Sequence, residues 1–180
     1  MATDVITLIT RDHRKVEELF ARLTSGKGDP SATVAELHAL LIAHARAEED
    51  RVYPGIDAHH GLEEHKEAEV LLDALVRARP GTKEFRETLE KLVDSVNHHV
   101  EEEESELLPK LARQAGAKRL EELGEAFAQR RDEELRALNG GPLSEVTKAE
   151  LYEQAQKADI PGRSQMDKEE LEQALRQSTS

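Results

Sequence analysis

Two stretches of the chain, His44-Ala-Arg-Ala-Glu48 and His99-Val-Glu-Glu-Glu103, set a histidine and a glutamate four residues apart, and each runs on to a proline, Pro54 and Pro109. Residues at this offset share one face of an α-helix, so imidazole and carboxylate point the same way. The offset recurs as His13 with Glu17 and His65 with Glu69. Imidazole nitrogens and carboxylate oxygens are ligands for transition-metal cations, and glutamates from facing helices can bridge two such ions about 4 Å apart. Cysteine is absent. Disulfides, zinc–thiolate sites and thiol nucleophiles are therefore excluded, leaving His, Asp, Glu and Tyr as metal ligands.

The surroundings of these pairs decide what they do. His13 is in line with Ile6, Ile9, Val16 and Phe20, and His44 with Leu37, Leu40 and Leu41. His65 lies between Leu62 and Leu72, and His99 between Val96 and Leu107. All four histidines thus fall in apolar stripes that face a core. Burying ionisable groups without partners costs several kcal/mol each, comparable to the whole stability of a domain this size. One such histidine is ordinarily a hydrogen-bonded core residue; four with glutamate at the same offset call for a shared cause, and bound cations supply it. Glu49, Glu104 and His98 lie about 100° around their helices from the neighbouring candidates and rank behind them. His59 and His60 fall in an expected loop and read as exposed. Tyr53 reads as a packing residue beside Pro54.

The elements that carry these residues read as helices throughout, since apolar residues recur at helical spacing and strand-like alternation is missing. The expected helices span about 4–24, 31–52, 62–78, 83 onward and 118–138, with Pro109 kinking or ending the fourth because it lacks an N–H. Asp12-His13-Arg14-Lys15 resembles Glu64-His65-Lys66-Glu67, and the His44 stretch resembles the His99 stretch. The first four helices thus form a duplicated hairpin and an up-down-up-down bundle. The fold class is all-α. Asn139-Gly-Gly-Pro142 marks a domain border, with the bundle and its extra helix in 1–138 and a small module in 143–180. At 180 residues the chain is long enough to bury a core. A net charge of −13 opposes general binding to nucleic acid or anionic membranes and favours cations. An apolar fraction of 37%, with no bilayer-length apolar run and no basic leader at Met1–Thr10, leads to the expectation of a cytoplasmic protein.

A histidine on helix one, His-x-x-x-Glu on helix two, histidine on helix three and His-x-x-x-Glu on helix four resemble the hemerythrin-like, or HHE cation-binding, domain. The resemblance rests on His13, His44, Glu48, His65, His99 and Glu103 and covers about 4–115. It implies a non-haem centre of two iron ions joined by an oxo or hydroxo bridge, with Glu48 and Glu103 as bridging carboxylates and O2, NO or H2O2 as small ligands. Ferritin-like bundles place glutamate before histidine in Glu-x-x-His, so order and offset favour the hemerythrin type. Oxygen-carrying hemerythrins have a second histidine on helix three where this chain has Glu69. As an anionic ligand, Glu69 would favour the ferric state and oppose reversible oxygen carriage; Glu17 is a further carboxylate, as ligand or as an orienting partner of a histidine.

Three functions follow from this reading. The first is sensing or handling of oxygen, nitric oxide, peroxide or iron, and the second is a catalase-like or ferroxidase enzyme at the same centre. The third is a nucleic-acid-associated stress factor acting through 143–180, which is similar to SAP and Rho N-terminal helix-loop-helix modules. Residues 141–180 hold five basic and eight acidic side chains. That balance opposes phosphate binding and favours a protein contact for the module.

Overall fold

A computed structural model of the chain describes residues 3–56, 58–138, 160 and 174. It divides into two compact units, Met1–Leu135 and Arg136–Ser180. The expected helix-loop-helix module at 143–180 lies almost wholly outside the described residues. The first unit is an all-α, up-down-up-down four-helix bundle with additional helices. Its elements are α1 (Val5–Thr24), α2 (Pro30–Arg51), α3 (His59–Arg77), α4 (Lys83–Glu102), α5 (Leu108–Gln114) and α6 (Ala117–Leu138).

Local chemistry sets the ends. Asp4 caps α1 by accepting from the Thr7 amide at 3.0 Å, Asp29 caps α2 with Pro30 in the first helical position, and Thr82 caps α4 through the Phe85 amide. α3 begins at His59, earlier than expected, so His59 and His60 occupy a first helical turn, both exposed, rather than a loop. Pro109 does not end the fourth helical path. Glu103–Leu107 widens into a π turn in which the Leu108 amide reaches back five residues to the Glu103 carbonyl. This accommodates a proline that cannot supply the bond to residue 105, and α5 continues with Pro109 in its first turn.

α1 packs on α2, α2 on α3 and α3 on α4. Two apolar clusters fill the interior. One includes Leu19, Leu37, Leu72 and Leu92, and the other includes Val5, Ile9, Leu108 and Phe127. Along α1 the sequence passes from Ile9 in one cluster through His13 to Val16 in the other; from α4 through the π turn into α5 it passes from Val96 through His99 and Glu103 to Leu108. The histidines and glutamates thus form a polar layer between two apolar ones. Burial of the apolar layers, at roughly 25 cal/mol per Å2, holds the polar layer in place.

Candidate metal centre

Six ionisable side chains from four helices and the π turn converge in that layer: His13, His44, Glu48, His65, His99 and Glu103. All are buried, with Glu48 and Glu103 at 0% and 1% exposure. Their donor atoms form two sets, His13/His44/Glu48/Glu103 and Glu48/His65/His99, and within each set the atoms lie no more than 4.8 Å apart. Glu48 belongs to both. Its Oε1 lies 3.2 Å from His44 Nε2, and its Oε2 lies 3.3 Å from His65 Nε2. Glu103 Oε2 lies 3.3 Å from His13 Nε2 and 3.9 Å from His99 Nε2. A carboxylate with one oxygen toward each of two donor groups has the disposition of a bridge.

The fit to cations shows in the atoms left over. His13 Nε2, His44 Nε2, Glu48 Oε1 and Glu103 Oε2 are buried without a hydrogen-bond partner, although they stand close together. Buried polar atoms are nearly always hydrogen-bonded, and a cluster of four exceptions made solely of ligand atoms is what a cation would satisfy.

On the far side of each ring, Nδ1 meets a carboxylate. His13 faces Glu104 at 2.8 Å, His44 faces Asp12 at 3.3 Å, His65 faces Glu49 at 3.1 Å and His99 faces Glu64 at 2.9 Å. Such a partner accepts a hydrogen bond from Nδ1–H, which keeps the proton on Nδ1, fixes the tautomer and turns the Nε2 lone pair toward a metal. Arginines in turn hold three of these acids. Arg131 on α6 grips Asp12 with contacts of 2.6 and 2.9 Å, Arg14 grips Glu104, and Arg46 bonds Glu49 at 3.0 Å. Phe127, also on α6, meets the His44 ring edge-on at 5.8 Å.

Electrostatics follow the same geometry. Burial opposes charge on His44, but the Glu48 and Asp12 carboxylates outweigh it and push its pKa up to about 10. His65 is likewise desolvated, yet Glu48 and Glu49 push it up to about 9. Burial alone would raise the Glu48 carboxyl, but His44 and His65 hold it well below the usual carboxylate range.

The other expected residues are placed differently. Glu69 is not among the converging donors; its carboxylate is held by Arg46 at 2.9 and 3.1 Å and is well exposed to solvent. Glu17 is exposed and pairs with Arg14. Tyr53, which reads as packing in the sequence, has its hydroxyl 3.4 Å from Glu48 Oε2, Glu103 Oε1 and His65 Nε2. Burial, then the two carboxylates, drive its pKa far above the ordinary phenol value, so it stays a neutral hydroxyl. A signal for it is present in the sequence as Gly61, where a Cβ would stand 2.8 Å from the Tyr53 hydroxyl. Only glycine leaves room for the phenol to lie across α3.

Residues 4–111 match the family described as the hemerythrin HHE cation binding domain. The chain belongs to this family. It is a metal-binding domain of the hemerythrin HHE type, in keeping with the converging donors. Over 130 residues it is 29% identical to a DNA nickase of Nostoc sp. (strain PCC 7120 / SAG 25.82 / UTEX 2576), covering 67% of this chain and 37% of that protein. The chain thus spans little more than a third of that relative. A crystal structure of a hemerythrin HHE cation-binding domain-containing protein from Mycobacterium kansasii superposes with a TM-score of 0.67 at 20% identity, over 98% of this chain and 99% of that one. At that identity the likeness is one of fold. Among the described residues of the HHE chain, no helix is long and apolar enough to cross a membrane.

Proposed function

We propose that the protein holds two iron ions, one in each donor set, and uses them to sense or handle oxygen, nitric oxide, peroxide or iron. The observation that carries this reading is the sharing of Glu48 between the sets, with Glu103 beside it, while four imidazoles turn Nε2 inward. Two imidazoles and a carboxylate or two per ion suit iron, and the absence of thiolates disfavours softer metals. Iron so held supplies redox chemistry toward small oxygen and nitrogen ligands. The chain's own residues supply the rest. The Nδ1 carboxylates orient the rings, and the apolar clusters exclude bulk water. A cavity of about 40 Å3 beside His13, His44, His65 and His99, floored by Val16, Leu72 and Val96, matches a diatomic or peroxide-sized ligand.

A second reading, a peroxide-decomposing or ferroxidase enzyme, is favoured by Tyr53, whose neutral hydroxyl stands beside both carboxylates and can donate a hydrogen bond to a small ligand bound there. Activity on DNA, as the name of the Nostoc relative states for that protein, has behind it only 29% identity over 130 residues.

Elemental analysis of protein from iron-replete cells, with optical spectra before and after air, azide and peroxide, tests the proposal. It expects about two irons per chain. Less than about half an iron per chain, or a spectrum indifferent to all three additions, overturns it. Oxygen release from peroxide by native protein but not by Tyr53→Phe would select the enzymatic reading.

A further inference from the structure

Three of the four carboxylates that anchor the buried histidines are neutralised by arginine. The fourth, Glu64, has no arginine partner among the described residues and instead faces three histidines, His99, His60 and His98. Its Oε2 accepts from His99 Nδ1 at 2.9 Å. Its Oε1 is buried without a hydrogen-bond partner, and the residue is 9% exposed. That oxygen points toward His60, four residues earlier on α3, and toward His98 and Glu102, themselves four apart on α4. The separations are 3.8 Å from Glu64 Oε1 to His60 Nε2, 3.7 Å to His98 Nε2, and 3.5 and 3.8 Å from Glu102 Oε2 to the same two nitrogens.

These distances are too long for good hydrogen bonds. They are close to what a shared ion requires: four ligands about 2.1 Å from a tetrahedral centre are about 3.4 Å from one another. All four donor atoms already lie within 4.8 Å of one another. Two imidazoles with two carboxylates select borderline divalent transition ions such as Zn2+ and Fe2+ over Mg2+ or Ca2+. The two negative charges match such an ion.

We propose that His60, Glu64, His98 and Glu102 form a second metal site, at the bundle surface, for a divalent transition-metal ion, with Glu64 linking it to His99 of the buried centre. The ion takes the place that arginine fills beside Asp12, Glu104 and Glu49. His60 and His98 are largely exposed, so it enters directly from solvent, unlike an ion in the buried layer. The site does not depend on which metal the buried centre holds.

The test is Zn2+ titration, by calorimetry, of the 180-residue chain as isolated, after loosely bound metal is dialysed away. About one further equivalent per chain should bind with micromolar affinity. In His60→Ala/His98→Ala, two exposed positions whose loss leaves the core intact, that equivalent should weaken at least about 100-fold while the buried metal content stays unchanged. Co2+ in place of Zn2+ should give the intense visible bands of a four-coordinate ion in native protein and not in the variant. No uptake by native protein at millimolar Zn2+ would overturn the site, as would a variant that binds the same equivalent equally well.

Discussion

Replacing Arg131 with methionine tests whether α6 belongs to the metal centre or merely covers it. Arg131 reaches Asp12 with contacts of 2.6 and 2.9 Å, and Asp12, at 6% exposure, in turn faces His44 Nδ1 at 3.3 Å. Burial raises the Asp12 carboxyl, but hydrogen bonds from His44 and Arg131 hold it below its ordinary value. Methionine keeps most of the packing volume and removes only the charge and the paired hydrogen bonds. Breaking a fully buried pair costs about 3–5 kcal/mol because the remaining charge is stranded. Arg131 is a quarter exposed, so screening reduces the expected loss to about 2 kcal/mol. With a urea slope of about 2 kcal/mol per M, the unfolding midpoint should fall by about 1 M. Asp12, no longer held by Arg131, should also orient His44 less firmly and so speed metal release to a chelator by about 10-fold.

The double variant Asp12→Asn/Arg131→Met separates the two effects. With the buried charge gone, most of the stability should return, while the chelator rate stays fast because a neutral amide holds the Nδ1 proton less firmly. A single variant with native midpoint and native metal release would refute the chain from α6 to His44. A double variant as unstable as the sum of the two singles would refute the stranded-charge account.

Glu48→Gln should lower metal content at both positions together, by elemental analysis, since Glu48 gives one oxygen to each donor set; retention of one full equivalent would refute the bridge. Glu69→Ala should leave metal content and spectrum unchanged, because Arg46 holds that carboxylate outside the donor sets, and loss of metal would show that Glu69 swings inward to ligate. In protein stripped of metal, His44 and His65 titrate near 10 and 9 against 6.5 when unfolded. Their contribution to stability is therefore full below about pH 6.5 and fades as pH rises through 9 to 10. Glu48, with its pKa lowered, contributes above about 4.5 and loses that contribution as pH falls. Metal uptake at pH 8 should release nearly two protons from the two imidazoles, measured by calorimetry in buffers of different ionisation heat, and release of less than about one proton would refute the pairing.

The bundle and most of its centre were legible because both depend on periodicity within single helices. His44 with Glu48 and His99 with Glu103 could be read from an offset of four, and the apolar stripes gave the direction they face. What escaped the reading lies between helices. On α3 the same offset pointed to Glu69, yet Arg46 from α2 captures that side chain, and the useful carboxylate is Glu64, beside His65, which serves His99 on α4. Glu49 and Glu104 stand about 100° from the ligands on their own helices for a similar reason: each meets a histidine of a neighbouring helix. Tyr53 belongs to the turn Tyr53–Gly55 after α2 and reaches the centre only because α3 has glycine at position 61. A partner on another helix has no fixed sequence separation, so no single-helix pattern reports it.

The layer of charge across the bundle explains why cations and protons compete there. Around the inner carboxylates Glu48 and Glu103 stand four more acids, Asp12, Glu49, Glu64 and Glu104, against three arginines among the described residues, of which Arg14 and Arg46 also serve Glu17 and Glu69. Acid exceeds base, and at the fully buried Glu48 and Glu103 an uncompensated charge is costly. Either protons on His44 and His65 or metal ions can balance it. Protons do so imperfectly, since the charges sit on separate rings and leave His44 Nε2, Glu48 Oε1 and Glu103 Oε2 without a hydrogen-bond partner. Metal ions satisfy those same atoms at once. The arginines neutralise the outer ring far enough for the fold to form, and the deficit they leave is concentrated on the donor atoms that face inward.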